Sequence, residues 1–159
     1  MADYLLEEKD GFNVLGIGTE LKSDYMDFAG INKEKADFWQ AVHEDGTIDK
    51  LREIAANDYL FVVNEAVNNK MMHYVGVMTK ESLPEASRMI QFPKGEYIVV
   101  KGKAESEEEL SNKLTGIAFG QVLQEANNVA YVGGPNTAVL MGNKDDLKYG
   151  EMWIPVIRK

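Results

Sequence analysis

Cysteine is absent from the 159 residues, and with it go disulfides, thiolate nucleophiles and thiolate metal ligands. That absence fits a reducing compartment, so the cytoplasm is the expected location. Long apolar runs are missing as well. No stretch approaches the roughly 18 consecutive apolar residues of a membrane helix, and the segment Met1 to Asp10 has neither the basic start nor the apolar stretch of a secretory signal. A soluble protein with no membrane partner is expected. Basic side chains are outnumbered, 17 Lys and Arg against 26 Asp and Glu, which leaves a formal charge of -9. Such a surface repels phosphate backbones and no basic stripe offsets it, so no nucleic-acid partner is expected. The two histidines, His43 and His73, are isolated and make neither a metal site nor a triad. Gly16-Ile17-Gly18 lacks the third glycine and the following helix of a dinucleotide fingerprint, and Tyr131-Val132-Gly133-Gly134-Pro135 lacks the Lys-Ser or Lys-Thr of a phosphate loop and reads as a turn. No metal and no cofactor are expected.

What is present is a chain of one-domain size with 45% apolar residues, enough to fill a core. One folded unit over residues 1–159 follows. Phe12 to Leu21 (FNVLGIGTEL) is β-branched and punctuated by glycine, the pattern of a first strand. Asn32 is placed to cap a helix carrying Ala36, Phe38, Trp39 and Val42, which the turn signal Asp45-Gly46 ends. Thr47 is then placed to cap a shorter helix with Ile48, Leu51 and Ile54. Tyr59 to Val67 and Met71 to Thr79 read as a hairpin around Asn68-Asn69-Lys70, because Asn tolerates positive φ. Lys80 to Gln91 reads as loop, with Leu83-Pro84 breaking any helix, and Gly95 to Ala104 as another strand. Ser106 and Glu109 form a capping box before a helix running to Ala126 with Leu110, Leu114, Ile117, Ala118 and Val122 on one face. Val129 to Val132, Thr137 to Gly142 and Tyr149 to Arg158 close the chain as strands, the last two joined by the turn Asn143 to Lys148. The order is one pattern written twice, over roughly 10–80 and 90–159, with Tyr74 matched to Trp153 and Val77 to Val156. Two such halves leave a seam between them, where ligand sites form.

Five segments, taken in order, resemble one known family: FNVLGIGTEL, ADFWQAV with EDGTIDKL, HYVGVM, FPKGEYIVVKGKA and GEMWIPVIRK. They resemble the GyrI-like (gyrase-inhibitor-like) or AraC-type effector-binding domains in their stand-alone form, and the likeness spans most of the chain. The resemblance implies an α+β fold of duplicated strand-helix-strand-strand (SHS2-type) halves, with antiparallel sheets around a central ligand cleft. It implies recognition of amphipathic or polycyclic aromatic, often cationic, molecules in protection against a toxin or drug. It also implies a buried glutamate on the strand before the final hairpin turn. That strand here reads NTAVLMG, with Thr137 or Ala138 in place of the acid.

Other carboxylates have a suitable setting. Glu151 shares a strand face with Trp153, and Glu65 shares one with Phe61 and Val63. In an apolar site either would resist ionisation and serve as a general base or as partner to a ligand cation; at a solvated strand end either would be inert. Trp39, Tyr74, Tyr97, Trp153 and Phe61 are the aromatics expected to stack on a ligand, and Met141, Met72 and Met78 an adaptable wall. Three functions follow from the resemblance. The first is a small-molecule-binding protein. The second is a hydrolase of electrophilic cyclopropane-bearing polycyclic toxins, with Glu151 or Glu65 activating water while Trp153 and Tyr74 hold the skeleton. The third is a gyrase inhibitor acting by protein contact. The oligomeric state stays open.

Overall fold

The computed structural model describes residues 4–24, 26–81, 83, 88–131 and 134–159. Pro84 and part of the turn expected at 131–135 lie outside them. In chain order the elements are β1 (Leu5–Lys9), β2 (Phe12–Leu21), α1 (Phe28–Glu44), α2 (Thr47–Ile54), β3 (Leu60–Val67), β4 (Lys70–Val77), β5 (Arg88–Phe92), β6 (Gly95–Ala104) and α3 (Glu107–Ile117). A π turn at Ala118–Val122 and a last helical turn at Leu123–Glu125 extend α3, and β7 (Val129–Tyr131), β8 (Asn136–Lys144) and β9 (Leu147–Arg158) follow. β1 and β5 correct the sequence reading, which left the first of these segments unassigned and made the second a loop.

The helix starts also differ from expectation. α1 begins four residues before Asn32, because the Asp27 carboxylate accepts from the Gly30 N–H at 3.0 Å and caps it. Gly30 is suited to that cap, since a Cβ there would meet Asp27 Oδ2 at 2.4 Å. α2 is capped by Gly46, at φ 81°, rather than by Thr47, whose hydroxyl donates to Asp45 Oδ1 at 2.6 Å. Only Asp45 and Gly46 separate α1 from α2, and a reversal that tight needs the left-handed backbone that glycine adopts freely.

Every strand pair is antiparallel, in the order β1-β6-β9-β8-β3-β4-β2-β5, with β7 paired to β9 off that path. The expected duplication is visible in this order. In one half β4 lies between β2 and β3, and in the other β9 lies between β6 and β8. The halves join where β3 pairs with β8, in the register Leu60↔Leu140, Val62↔Ala138, Asn64↔Asn136. Both hairpins turn on residues with positive φ, Asn68-Asn69 and Asp145-Asp146, the residue types that tolerate it. Counted from either turn, or from the central pair Val62↔Ala138, Tyr74 corresponds to Glu151 and Gly76 to Trp153. The expected match of Tyr74 with Trp153 was therefore out by two residues. β9 runs longer than β4 and β8 carries a bulge between Leu140 and Gly142, so the two hairpins differ in length and sequence spacing alone does not reveal their register. A slip of two keeps the side-chain face.

The outer strands are exchanged. β1 leads into β2 but pairs with β6, while β5 leads into β6 but pairs with β2. Each connector is two residues long, so both edges of the sheet are drawn toward each other. The sheet curls in consequence. Phe12 on β2 and Trp153 on β9 lie four strands apart, about 19 Å on a flat sheet, yet their ring centroids are 5.6 Å apart. The inner face holds Phe61, Val63, Tyr74, Tyr97, Val99 and Trp153. The outer face, with Leu60, Val62, Val75, Ile98 and Met152, packs on Val42 of α1, Leu51 of α2, and Leu110 and Leu114 of α3. Burial of these apolar surfaces from both sides of one sheet is what holds the fold.

Candidate functional site

At one end of the central strand pair the outer face turns polar. His73 Nδ1 lies 2.8 Å from Asn64 Oδ1, Asn64 Nδ2 donates to Asn136 Oδ1 at 3.4 Å, and Asn136 Nδ2 donates to the Tyr131 hydroxyl at 3.1 Å. The Tyr131 hydroxyl in turn donates to the Gly134 carbonyl. An amide oxygen only accepts, so His73 carries its proton on Nδ1. Burial, and then the nearby Lys35 charge, push the His73 pKa down to about 3, so the ring is neutral at physiological pH. The chain of four side chains spans β4, β3, β8 and β7, and with them both halves of the molecule.

Above this polar floor lies a cavity of about 720 Å³. Phe28, Ile31 and Lys35 of α1 form one wall, and Asn112, Thr115 and Gly116 of α3 form the other; Ala66, Met71 and Met72 complete the floor. The π turn closes the far side with Phe119 and Gly120, and the Phe119 ring meets Tyr131 edge-on at 5.7 Å. A π turn is rare within helices and recurs at functional sites, because it displaces side chains from the regular helical path. Gly116 and Gly120 sit one turn apart, and a Cβ built on either meets nothing within 4 Å. Close packing does not call for glycine there; the effect of both is an unobstructed wall. Phe28, 66% exposed, stands in the wall as an aromatic open to solvent.

Two charged residues line the cavity. Glu65 is already engaged: its carboxylate accepts from Arg88 Nε at 2.8 Å and from Arg88 Nη2 at 3.0 Å. The Tyr74 hydroxyl beside it is held above its ordinary pKa by burial and then by that carboxylate. Lys35 is different. Burial holds its pKa below the ordinary lysine value, and among the described residues its ammonium has neither a hydrogen bond nor an ion pair. It also lines a narrow cleft, continuous with α1 and α3, beside His73 and Trp39.

The residues expected at the site divide accordingly. Glu65 and Met72 border the cavity at the strand ends, although strand alternation sets both on the inner face with Phe61, Val63 and Tyr74. Phe61, Tyr74, Tyr97, Trp153 and Met141 do come together, but in the inner-face cluster, where Phe61, Tyr97 and Trp153 surround the Phe12 ring. Met78 joins that cluster. Tyr97 donates to the Pro93 carbonyl at 2.6 Å, and burial pushes its pKa up to about 12. Glu151 is on the same inner face and accepts from Trp153 Nε1 at 2.8 Å; Lys9 Nζ lies 4.0 Å above the Trp153 ring. Trp39 is on the outer face, its ring 4.5 Å from His43. Thr137, on the strand where the resemblance implied a glutamate, is buried and donates to the Val62 carbonyl at 3.2 Å. Sequence reasoning passed over Lys35, Asn64, Asn136, Tyr131 and Phe119. The available signal was Gly116 and Gly120, four apart inside an otherwise good helix pattern, where glycine is costly unless space is needed.

Among the described residues no three His, Asp or Glu side chains are grouped to hold a metal ion, and no helix is long and apolar enough to cross a membrane. No curated protein matches the chain in sequence. Solved structures share its fold, two among them informative here. One is SAV2435 bound to tetraphenylphosphonium, 17% identical, with a TM-score of 0.75 over 98% of this chain and 94% of that one. The other is the integron cassette protein VCH_CASS2 from the mobile metagenome of Vibrio cholerae, 12% identical, with a TM-score of 0.65 over 97% of this chain and 95% of that one. The Cass2 family model, for integron-associated effector-binding proteins, matches residues 5–156. The chain therefore belongs to the Cass2 family of integron-associated effector-binding proteins, a GyrI-like family.

Proposed function

We propose that this protein holds one amphipathic, aromatic or polycyclic small molecule in the cavity between α1 and α3. The observation that carries the reading is the cavity itself. Its volume of about 720 Å³ falls within the roughly 300–1,000 Å³ of small-molecule sites, which combine apolar walls with a few directed polar groups. Here the walls are Phe28, Ile31, Met71, Met72 and Phe119, and the directed groups are Asn64, Asn136 and Lys35. Membership of an effector-binding family supports the reading, as does the tetraphenylphosphonium held by SAV2435 on the same fold. Sequestering a toxin or drug in the cytoplasm is the role such a site would serve. Turnover asks more: Glu65 would have to leave Arg88 to act as a base, and Glu151 faces away from the cavity.

Filling the cavity tests the reading. Leucine at position 116 projects a side chain into open space while removing a helix-interior glycine, so Gly116→Leu should keep or slightly raise the melting temperature. A polycyclic aromatic ligand that binds only the native protein should raise the wild-type melting temperature by mass action and leave the variant's unchanged. Equal shifts in the two proteins would place the ligand elsewhere.

A further inference from the structure

We propose that Lys35 makes the cavity selective for hydrophobic organic anions, such as aromatic carboxylates or sulfonates, over cations of the same shape. The inference rests on the proposed ligand cavity and adds the charge of what it takes. Lys35 and Glu65 are the charged side chains that line the cavity among the described residues. Glu65 is nearly buried, with 9% of its side chain exposed, and both of its carboxylate oxygens accept from Arg88. Its charge is neutralised within the protein and both oxygens are occupied. Lys35 has no such partner among the described residues. Its narrow cleft is shared with the neutral His73 imidazole and the Asn112 amide, and Phe38 lies edge-on to His73 at 5.8 Å. Glu108 also lines that cleft, and among the described residues it makes no ion pair with Lys35.

A half-buried ammonium without a counter-ion is costly, and an anionic ligand offsets that cost while a cationic one adds to it. The downward shift of the Lys35 pKa, caused by burial, agrees with this geometry. The amides of Asn64, Asn112 and Asn136 contribute dipoles and no net charge. The site is thus locally positive within a chain of formal charge -9. The overall charge disfavours anions at long range, but salt screens it beyond roughly 8–10 Å, whereas a group inside the cavity is screened much less.

Tetraphenylborate and tetraphenylphosphonium have nearly the same shape and opposite charge, so their relative affinity isolates the charge term. Titrations of the full chain in sodium buffer at physiological ionic strength, followed by calorimetry, compare wild type with Lys35→Met, which keeps the aliphatic stem, and with Lys35→Gln as a second variant. The wild type is expected to favour the borate. The borate-to-phosphonium affinity ratio is expected to fall by roughly tenfold or more in both variants, the size of effect that one partly screened charge contact produces. A ratio unchanged by both substitutions overturns the proposal, as does a wild type that binds the phosphonium at least as tightly as the borate. If neither ion binds the wild type, or if Gly116→Leu leaves both affinities intact, the cavity is not the ligand site and the underlying reading fails with it.

Discussion

A neutral histidine buried beneath two helices makes stability depend on pH. His73 has a folded-state pKa of about 3 against an ordinary value of 6.5. Between those values the unfolded chain binds a proton that the native protein does not, so acidification favours unfolding. Its stabilising contribution is complete above pH 6.5, falls as the pH drops toward about 3, and is constant below. Urea unfolding at pH 7 and pH 4 should show the wild type losing on the order of a few kcal/mol more than His73→Gln. Equal losses would exonerate His73. The contrast with Glu65 shows what a sequence carries at this scale. That Glu65 shares a face with Phe61 and Val63 follows from strand alternation alone. That Arg88 neutralises it does not, because Arg88 lies 23 residues away in a segment whose strand character the sequence hides. Lys35 was illegible for a related reason: on a helix face bearing Phe38 and Trp39 a lysine reads as solvated, and only the tertiary arrangement of α3 encloses it.

Among the elements, α1 gives the sharpest test of why a helix starts where it does. Asp27→Ala removes the acceptor for the Gly30 N–H and should lower stability by about 1 kcal/mol in urea unfolding. Asn32→Ala, within the helix and exposed, should cost nothing comparable. If Asn32 were the cap, the order of the two effects would reverse. β2 and β6 were legible to their end residues, since each is a β-branched run containing or bounded by glycine. β1 and β5 were not. Each is five residues long; LLEEK carries the charges with which edge strands discourage further pairing, and RMIQF shows its alternation of exposed Met89 and Gln91 with buried Ile90 and Phe92 only over so short a run. Of the two glycines only Gly120 lies inside the π turn, whose one extra residue moves the apolar stripe by a single position, an offset absorbed by a stripe that already mixes i+3 and i+4 steps.

At the scale of the whole molecule, exchange of β1 and β5 ties the halves together. Neither half completes its own sheet, so loosening one uncovers the edge of the other. The two tryptophans report on this, for Trp39 lies in the first half on the outer face and Trp153 in the second half on the inner face. In urea, Trp39→Phe and Trp153→Phe should each give a single fluorescence transition that coincides with loss of circular dichroism measured on the same variant. Separated transitions would mean that the halves unfold independently. The duplicated backbone offers two equivalent ends of the central strand pair. Asn64 and Asn136 face each other at one end and Leu60 and Leu140 at the other. The leucine end is sealed into the core, and the asparagine end floors the cavity. A frame that repeats itself by rotation has thereby become directional: among the described residues one of its two equivalent ends opens and the other is closed, so an asymmetric guest in the proposed cavity would set its head group toward Lys35 and its skeleton toward Phe28.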